Sequence, residues 1–297
     1  MAQTSSNDST PEIKHISKAS DEIVTYIDNR RKGIVKSLRT KWAKFNHAAM
    51  GGIEPNIIMT IAGISGSGKS SFVNSLETDI VDLNRDQEII VLSFNFEMLS
   101  SRQVGRKLSY KLTKTTGELY STGYDGEPVS DELFNEVVKE AEHIKHYPVY
   151  YVDVPCTVDQ IGSIIRRFQF SENTKNKWLV VILDHTLLTR GKSGEQERET
   201  LANLQKLFME VKKTGRTTII QLSQMNREIE SSERITNPTM HFPMRRDLFG
   251  SDSLFQASDY VIVLHRPELL GIKSYSPNNW PVQNKIYMHF LNKNETF

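Results

Sequence analysis

The stretch Ile57–Ile80, IIMTIAGISGSGKSSFVNSLETDI, decides the fold. It opens on an apolar run, Ile57–Ala62, that reads as a buried strand. Gly63–Ser70 then matches G-x-x-x-x-G-K-[ST], and Phe72, Val73, Leu76 and Ile80 follow at helical spacing. With 16 glycines and 37 basic residues among 297, two glycines and a basic residue at this spacing arise by chance at roughly one start in 3,000. Strand, glycine-rich loop and helix in this order form a phosphate cradle. Glycines let main-chain N–H groups approach phosphate oxygens, and the helix turns its positive end toward them. Gly63, Ser65, Gly66, Ser67, Gly68, Lys69, Ser70 and Ser71 are therefore the expected nucleotide-binding residues. Lys69 supplies a compact charge to the terminal phosphates, and the Ser70 hydroxyl reaches Mg²⁺. The alternative, a Gly/Ser-rich turn that binds nothing, fits these flanks poorly.

Outward from this core, strands and helices alternate. Strands are expected at Ile57–Ala62, Glu88–Phe94, Val149–Val154, Trp178–Leu183, Thr217–Leu222, Tyr260–Leu264 and Lys285–Leu291. Runs such as VVIL and YVIVL are apolar throughout, which suits strands covered on both faces. Leu133, Phe134, Val137, Val138, Ala141 and Ile144 line one helix face. Ile161, Ile164, Ile165 and Phe168 line a second, opened by a capping box from Thr157 to Gln160. Leu201, Leu204, Phe208 and Val211 line a third. The expected class is α/β, a doubly wound and mainly parallel sheet, whose ligands sit beyond the carboxyl ends of the strands.

Three further positions fall at such ends. Asp184 closes the run from Trp178 and is placed to hold the Mg²⁺ hydration shell. Glu97 follows the second strand, where a carboxylate can deprotonate an attacking water; the alternative is a cap for the helix beginning near Leu99. Gln224 follows TTIIQLS, where a neutral amide can sense the terminal phosphate and relay its presence. His185 reads as structural, and His143 with His146 lacks the companions a metal site needs.

The first 12 residues are polar and read as a tail. Ile16, Ala19, Ile23 and Ile27 then mark an amphipathic helix over 13–33, which must bury its stripe on its own domain or on a neighbouring subunit. The main domain spans 34–297. Lys and Arg exceed Asp and Glu by one, so a basic coat for duplex DNA is excluded while a local basic channel remains open. One cysteine, Cys156, excludes a disulfide scaffold. No apolar run reaches the ~18 residues of a membrane span. A soluble, cytoplasmic protein is expected. There is no N-K-x-D guanine-reading motif and no Arg-rich lid of a small-molecule kinase.

From Lys36 onward the chain resembles the ATPase domain of DnaB-type replicative helicases, a RecA-like branch of the P-loop NTPases. The resemblance lies in SLRTKWAKFNHAAMGGIEPNIIMTIAG, FNFEMLSSRQVGRKL, VYYVDVPCTVDQIGSIIRRF, LVVILDHTLL, LSQMNRE and DLFGSDSLFQASDYVIVLHRPE, six segments in family order. It implies ATP and Mg²⁺ as ligands, with Glu97 as catalytic glutamate, Asp184 as the Walker B acid and Gln224 as the phosphate sensor. It implies a homohexameric ring moving 5′ to 3′ on single-stranded DNA in a bacterial or phage-infected cell, with primase or a helicase loader as partner. The 13–33 helix resembles the family's linker helix, docked on the adjacent subunit. Fewer than forty residues precede the resemblance, so the primase-binding domain is expected to be missing.

Two departures stand out. The family's DNA loop reads D-L-R-E-S-G, and here Phe249 and Gly250 replace Arg and Glu. Arg227, Arg234, Arg245 and Arg246 concentrate in this region, and Arg227, Arg245, Arg246, Phe249, Gly250 and Ser251 are the expected DNA contacts. The family's arginine finger falls on Lys293, which keeps the charge and loses the bidentate fork; Arg266 is an alternative. The rival function is a RecA-like DNA-binding ATPase, a recombination mediator or loader, without unwinding.

Overall fold

The computed structural model describes residues 13–123 and 126–291. Among these, seven strands form one sheet: β1 (Ile58–Gly63), β2 (Ile89–Asn95), β3 (Val149–Val152), β4 (Trp178–Asp184), β5 (Thr217–Gln224), β6 (Tyr260–His265) and β7 (Tyr287–Phe290). Their order is β3-β2-β4-β5-β1-β6-β7. β1 to β6 run parallel, and β7 pairs antiparallel with β6. All seven expected strands are present, and the two at the sheet edges are shorter than the apolar pattern suggested. An edge strand has a partner on one side only, so less pairing holds it extended: β3 stops at Val152, opposite Phe94 and one residue before β2 ends, and β7 pairs with only the last four residues of β6.

The helices are α1 (Ile16–Arg31), α2 (Ala43–Ala48), α3 (Lys69–Asp82), α4 (Ser100–Leu112), α5 (Thr116–Leu119), α6 (Asp131–Ile144), α7 (Val158–Phe170), α8 (Glu197–Val211), α9 (Ser232–Thr236) and α10 (Ser251–Ala257). Strand side chains alternate between two cores. Met59, Ile61, Val180 and Ile182 pack with Phe45, Val73, Leu76 and Ile80 on one face. Ile58, Val181, Leu183 and Ile219 pack with Ile161, Ile165, Leu204 and Phe208 on the other. This is a mainly parallel RecA-like sheet with helices on both faces. The Thr157–Gln160 capping box opens α7 with both of its bonds formed.

Two helices differ from a fully covered stripe. On α6 only Ile144 is buried, while Phe134 and Val138 face solvent. On α1 no residue is buried; Ile16, Ile23, Val24 and Ile27 are all exposed. α1 is held at its end by Arg30, which donates to Glu54 at 3.2 Å and to the Met50 carbonyl at 3.0 Å. Its stripe is therefore not buried against its own domain. No helix among the described residues is long and apolar enough to cross a membrane.

Candidate functional site

The loop between β1 and α3 is shaped by its glycines. A Cβ on Gly63 would lie 2.4 Å from Ser67 Oγ and 2.6 Å from the Leu264 carbonyl oxygen, so no side chain fits there. Gly68 caps α3 at φ +93°, in the left-handed region. α3 thus starts at Lys69, and the amides of its first turn have no acceptor within the helix. Ser65, Gly66 and Ser71 are exposed, Gly68 and Ser70 half-buried. Ser67 Oγ is buried with no hydrogen-bond partner. The Lys69 ammonium folds back onto the loop, donating to Gly63 O at 2.7 Å, Ile64 O at 3.0 Å and Gln224 Oε1 at 3.2 Å. An open cavity of 860 Å³ adjoins the start of α3, with Gly68, Ser71, Phe72, Trp42 and Arg106 in its lining.

Asp184 ends β4, buried, and accepts a hydrogen bond from the Ser70 side chain. Its Oδ1 is buried and unpartnered. Burial raises its pKa, and the charge of Glu97 adds to this; the Ser70 bond and the charges of His185 and Arg106 oppose it. Burial likewise lowers the Lys69 pKa, against the pull of Asp184 and Glu97. Lys69, Asp184 and Glu97 therefore share one electrostatic neighbourhood. Burial also lowers the pKa of His185, which is half-buried with Nδ1 unpartnered.

A hydroxyl and a carboxylate with a spare oxygen are hard donors that suit Mg²⁺. Among the described residues no group of three or more His, Cys, Asp or Glu forms a metal cage. Mg²⁺ needs none, because it completes its shell with phosphate oxygens and water.

Glu97 is exposed, three residues ahead of α4. The capping alternative is overturned, because Asp153 caps that helix instead, its Oδ2 accepting from the Ser100 amide at 2.9 Å. Arg106 is a residue that sequence reasoning missed. It lies on α4, its charge acts on Asp184, and its NH1 is buried without a partner. Residue type gave no signal for it, because the same helix carries Arg102, Lys107 and Lys111 as well.

Gln224 ends β5 between the loop and the segment that follows. Its carbonyl accepts from the Phe249 amide at 3.0 Å, and the Asn226 amide donates to the Asp247 carbonyl at 2.7 Å. Met225 and Leu248 form a bridge between these bonds. Arg227, Arg245 and Arg246 are exposed. Arg245 lies 3.3 Å from Asp252 and 4.7 Å from the Phe255 ring centroid. Phe249 is half-buried, and Gly250 caps α10 at φ +64°. The main chain of Ser251 begins α10.

Arg234 corrects the sequence reading. It is 4% exposed and paired with Asp247, itself fully buried, so it cannot face a strand of DNA. Its position in a polar stretch hid a partner thirteen residues on. Arg266 is half-buried, with NH2 3.4 Å from Glu268 and Nε unpartnered. Lys293 lies outside the described residues.

Residues 37–293 match the model of the DnaB-like helicase C-terminal domain family. The replicative DNA helicase DnaB of Mycobacterium leprae (strain TN) is 30% identical over 176 residues, which cover 59% of this chain and 27% of that protein. Its counterpart in Mycobacterium intracellulare is 28% identical over 176 residues, 59% of this chain and 28% of that protein. The chain thus spans little more than a quarter of the length of these curated relatives. Two solved structures share the fold at a TM-score of 0.70. One is an isolated ATPase domain, 17% identical, which aligns over 92% of this chain and 98% of its own. The other, a DnaB-like replicative helicase described with its interactions with primase, is 18% identical and aligns over 97% of this chain and 66% of its own. A match that runs through the phosphate loop, both acidic strand ends and the segment after Gln224 leaves one assignment: the chain belongs to the DnaB-like helicase C-terminal domain family.

Proposed function

We propose that the chain is the motor of an ATP-dependent DNA helicase of the DnaB type, moving on single-stranded DNA and unwinding duplex during replication. One bonded path carries this reading. Lys69 Nζ donates to the Gln224 side chain at 3.2 Å, and the Gln224 carbonyl accepts from the Phe249 amide at 3.0 Å. The path joins the phosphate cradle to the main chain bearing Arg245 and Arg246. A change in what Lys69 holds reaches that segment through Gln224.

In the proposed reaction the loop amides and the start of α3 grip the phosphate oxygens, and Lys69 adds its charge. Ser70 and Asp184 would hold Mg²⁺, which would neutralise charge on the phosphates. Glu97 takes a proton from water as the water oxygen attacks the terminal phosphorus and the bond from that phosphorus to the bridging oxygen breaks, the oxygen leaving with ADP and the terminal group leaving as phosphate. The uncovered stripe of α1 supports docking on a neighbouring copy, hence a homo-oligomer, in our reading a hexamer. Lys293 of that neighbour is the proposed trans-acting cation. Primase is the proposed partner, because one similar solved helicase is described with it; a helicase loader is the second candidate.

Strand displacement on a forked duplex with ATP and Mg²⁺ is the test. The wild type separates the strands. Lys69→Ala does not, while keeping its melting temperature. ATP turnover on single strands without displacement would assign the chain to RecA-like mediators or loaders instead.

A further inference from the structure

Asn95 is the last residue of β2, two before Glu97, and 3% exposed. It pairs in register with Asp184 of β4. Alternation sends Leu92 and Phe94 of β2 to one core and Val91 to the other, so Asn95 shares the face of Val91. Asp184 shares the face of Val180 and Ile182 on β4, which is the same one. The two side chains stand side by side on the sheet face that α3 covers.

A run of hydrogen bonds that begins at a main-chain atom fixes the Asn95 amide. The Gln103 carbonyl accepts from Asn74 Nδ2 at 3.0 Å, which makes that atom a donor. The same nitrogen donates to Gln103 Oε1 at 2.8 Å. Gln103 Nε2 is then left to donate, and it does so to Asn95 Oδ1 at 3.3 Å. Ser93 Oγ lies 3.3 Å from the same oxygen and 3.2 Å from Glu77 Oε2. Glu77 is itself locked in a buried pair with Lys107 at 2.8 Å and accepts from Tyr151 OH at 2.8 Å. Both contacts to Asn95 fall on its oxygen, so its nitrogen is the atom left over. Asn95 Nδ2 is buried and has no partner. A buried amide donor is costly to leave unpaired, so this one calls for an acceptor that the chain itself does not supply.

We propose that Asn95 is a substrate-binding residue of this site, its side-chain amide donating to an anionic oxygen of the terminal phosphate of a nucleoside triphosphate. The available atom is an N–H donor. It suits a phosphate oxygen and not a cation, which would need the carbonyl oxygen that Gln103 already holds. The assignment rests on the chain binding ATP, and it adds discrimination: a diphosphate has no oxygen for this donor.

The test is calorimetric titration with Mg²⁺, using ADP and a non-hydrolysable ATP analogue, on wild type, Asn95→Ala and Asn95→Asp. Asn95→Ala removes the donor. Asn95→Asp keeps the shape and turns the donor into an acceptor. Affinity for the analogue falls about tenfold or more in both variants, as expected for a lost bond to a charged acceptor, while ADP affinity falls less than about threefold. Should one variant fail to fold, the ratio in the other decides. Equal losses for both ligands, or no loss, overturn the assignment. A wild type that binds neither ligand overturns the nucleotide reading itself.

Discussion

Replacing Arg234 with Ala would open the clamp beneath the segment that follows Gln224. The guanidinium pairs with Asp247 and donates to the Met240 carbonyl at 3.1 Å and the Phe242 carbonyl at 2.6 Å. Without it, the Asp247 carboxylate keeps its bond from the Met244 amide and stays buried without a counter-charge. Breaking a buried pair by removing one partner costs about 3–5 kcal/mol. Unfolding entropy is about 2.1 cal/mol/K per residue, hence about 0.6 kcal/mol/K for a chain of 297, so the melting temperature falls by about 5–8 °C. Urea titration and calorimetry measure this. Hydrogen exchange localises it to the amides of 225–249. Arg234→Met with Asp247→Asn removes both charges and regains at least half of the loss. A cost below about 0.5 kcal/mol, the range of surface changes, would show that Arg234 is solvated and the clamp illusory. A double variant no better than the single would show the same for the charge argument.

Glu97→Gln keeps the side chain's size and removes its basicity, so ATP turnover falls about 10²–10⁴-fold while nucleotide affinity holds; a fall of less than tenfold, read by phosphate release, removes Glu97 as the base. Single-strand affinity falls with salt, and Arg245→Ala with Arg246→Ala flattens the slope by up to about 1.4, at about 0.7 per phosphate contact. Arg246→Ala alone takes the larger share, since Asp252 already offsets Arg245; an unchanged slope takes both out of the DNA path. His265 is 1% exposed with neither ring nitrogen bonded, and burial holds its pKa down to about 3. The unfolded chain gains a proton that the folded one refuses, so stability is lost as pH falls from 6.5 toward 3, by about 2 kcal/mol at pH 5. His265→Phe flattens the urea midpoint between pH 7 and pH 5; a profile that matches the wild type counts against this.

The central strands were legible because burial on both faces writes continuous apolar runs, as in VVIL of β4 and YVIVL of β6. The edges were less so, because a residue's hydrophobicity does not say whether a neighbouring strand reaches it. Helical period raises a similar difficulty. It identified α1 and α6, but not that Ile23 and Ile27, or Phe134 and Val138, would stand uncovered. Period defines a stripe, and the width of the opposing groove defines how much of it is buried.

At the site, legibility followed the main chain. Lys69, Ser70, Asp184 and Gln224 hold positions that the phosphate loop and the parallel strand ends dictate. Where a role depends on a side chain from a distant segment, residue type misleads. Glu97 was ambiguous until Asp153, on the chain beyond β3, took the cap of α4. Asn95 reads as an ordinary polar residue at a strand end, and only bonds through Asn74 and Gln103 leave its nitrogen unpaired. Arg234 shows the reverse error. Four arginines in a polar stretch suggest a basic surface, yet Glu228, Glu230 and Glu233 are exposed in the same stretch, and one arginine is spent inside on Asp247. Net charge is therefore a poor guide to the surface of this stretch. What separates Arg245 and Arg246 from the rest is location: they directly precede Asp247–Phe249, the residues whose main chain is bonded to Gln224 and Asn226, whereas Arg227 and the glutamates lie on the outgoing limb, in the turn after Asn226 and around α9. In the motor we propose, a strand of nucleic acid coupled to the phosphate site meets Arg245 and Arg246 and not the glutamates.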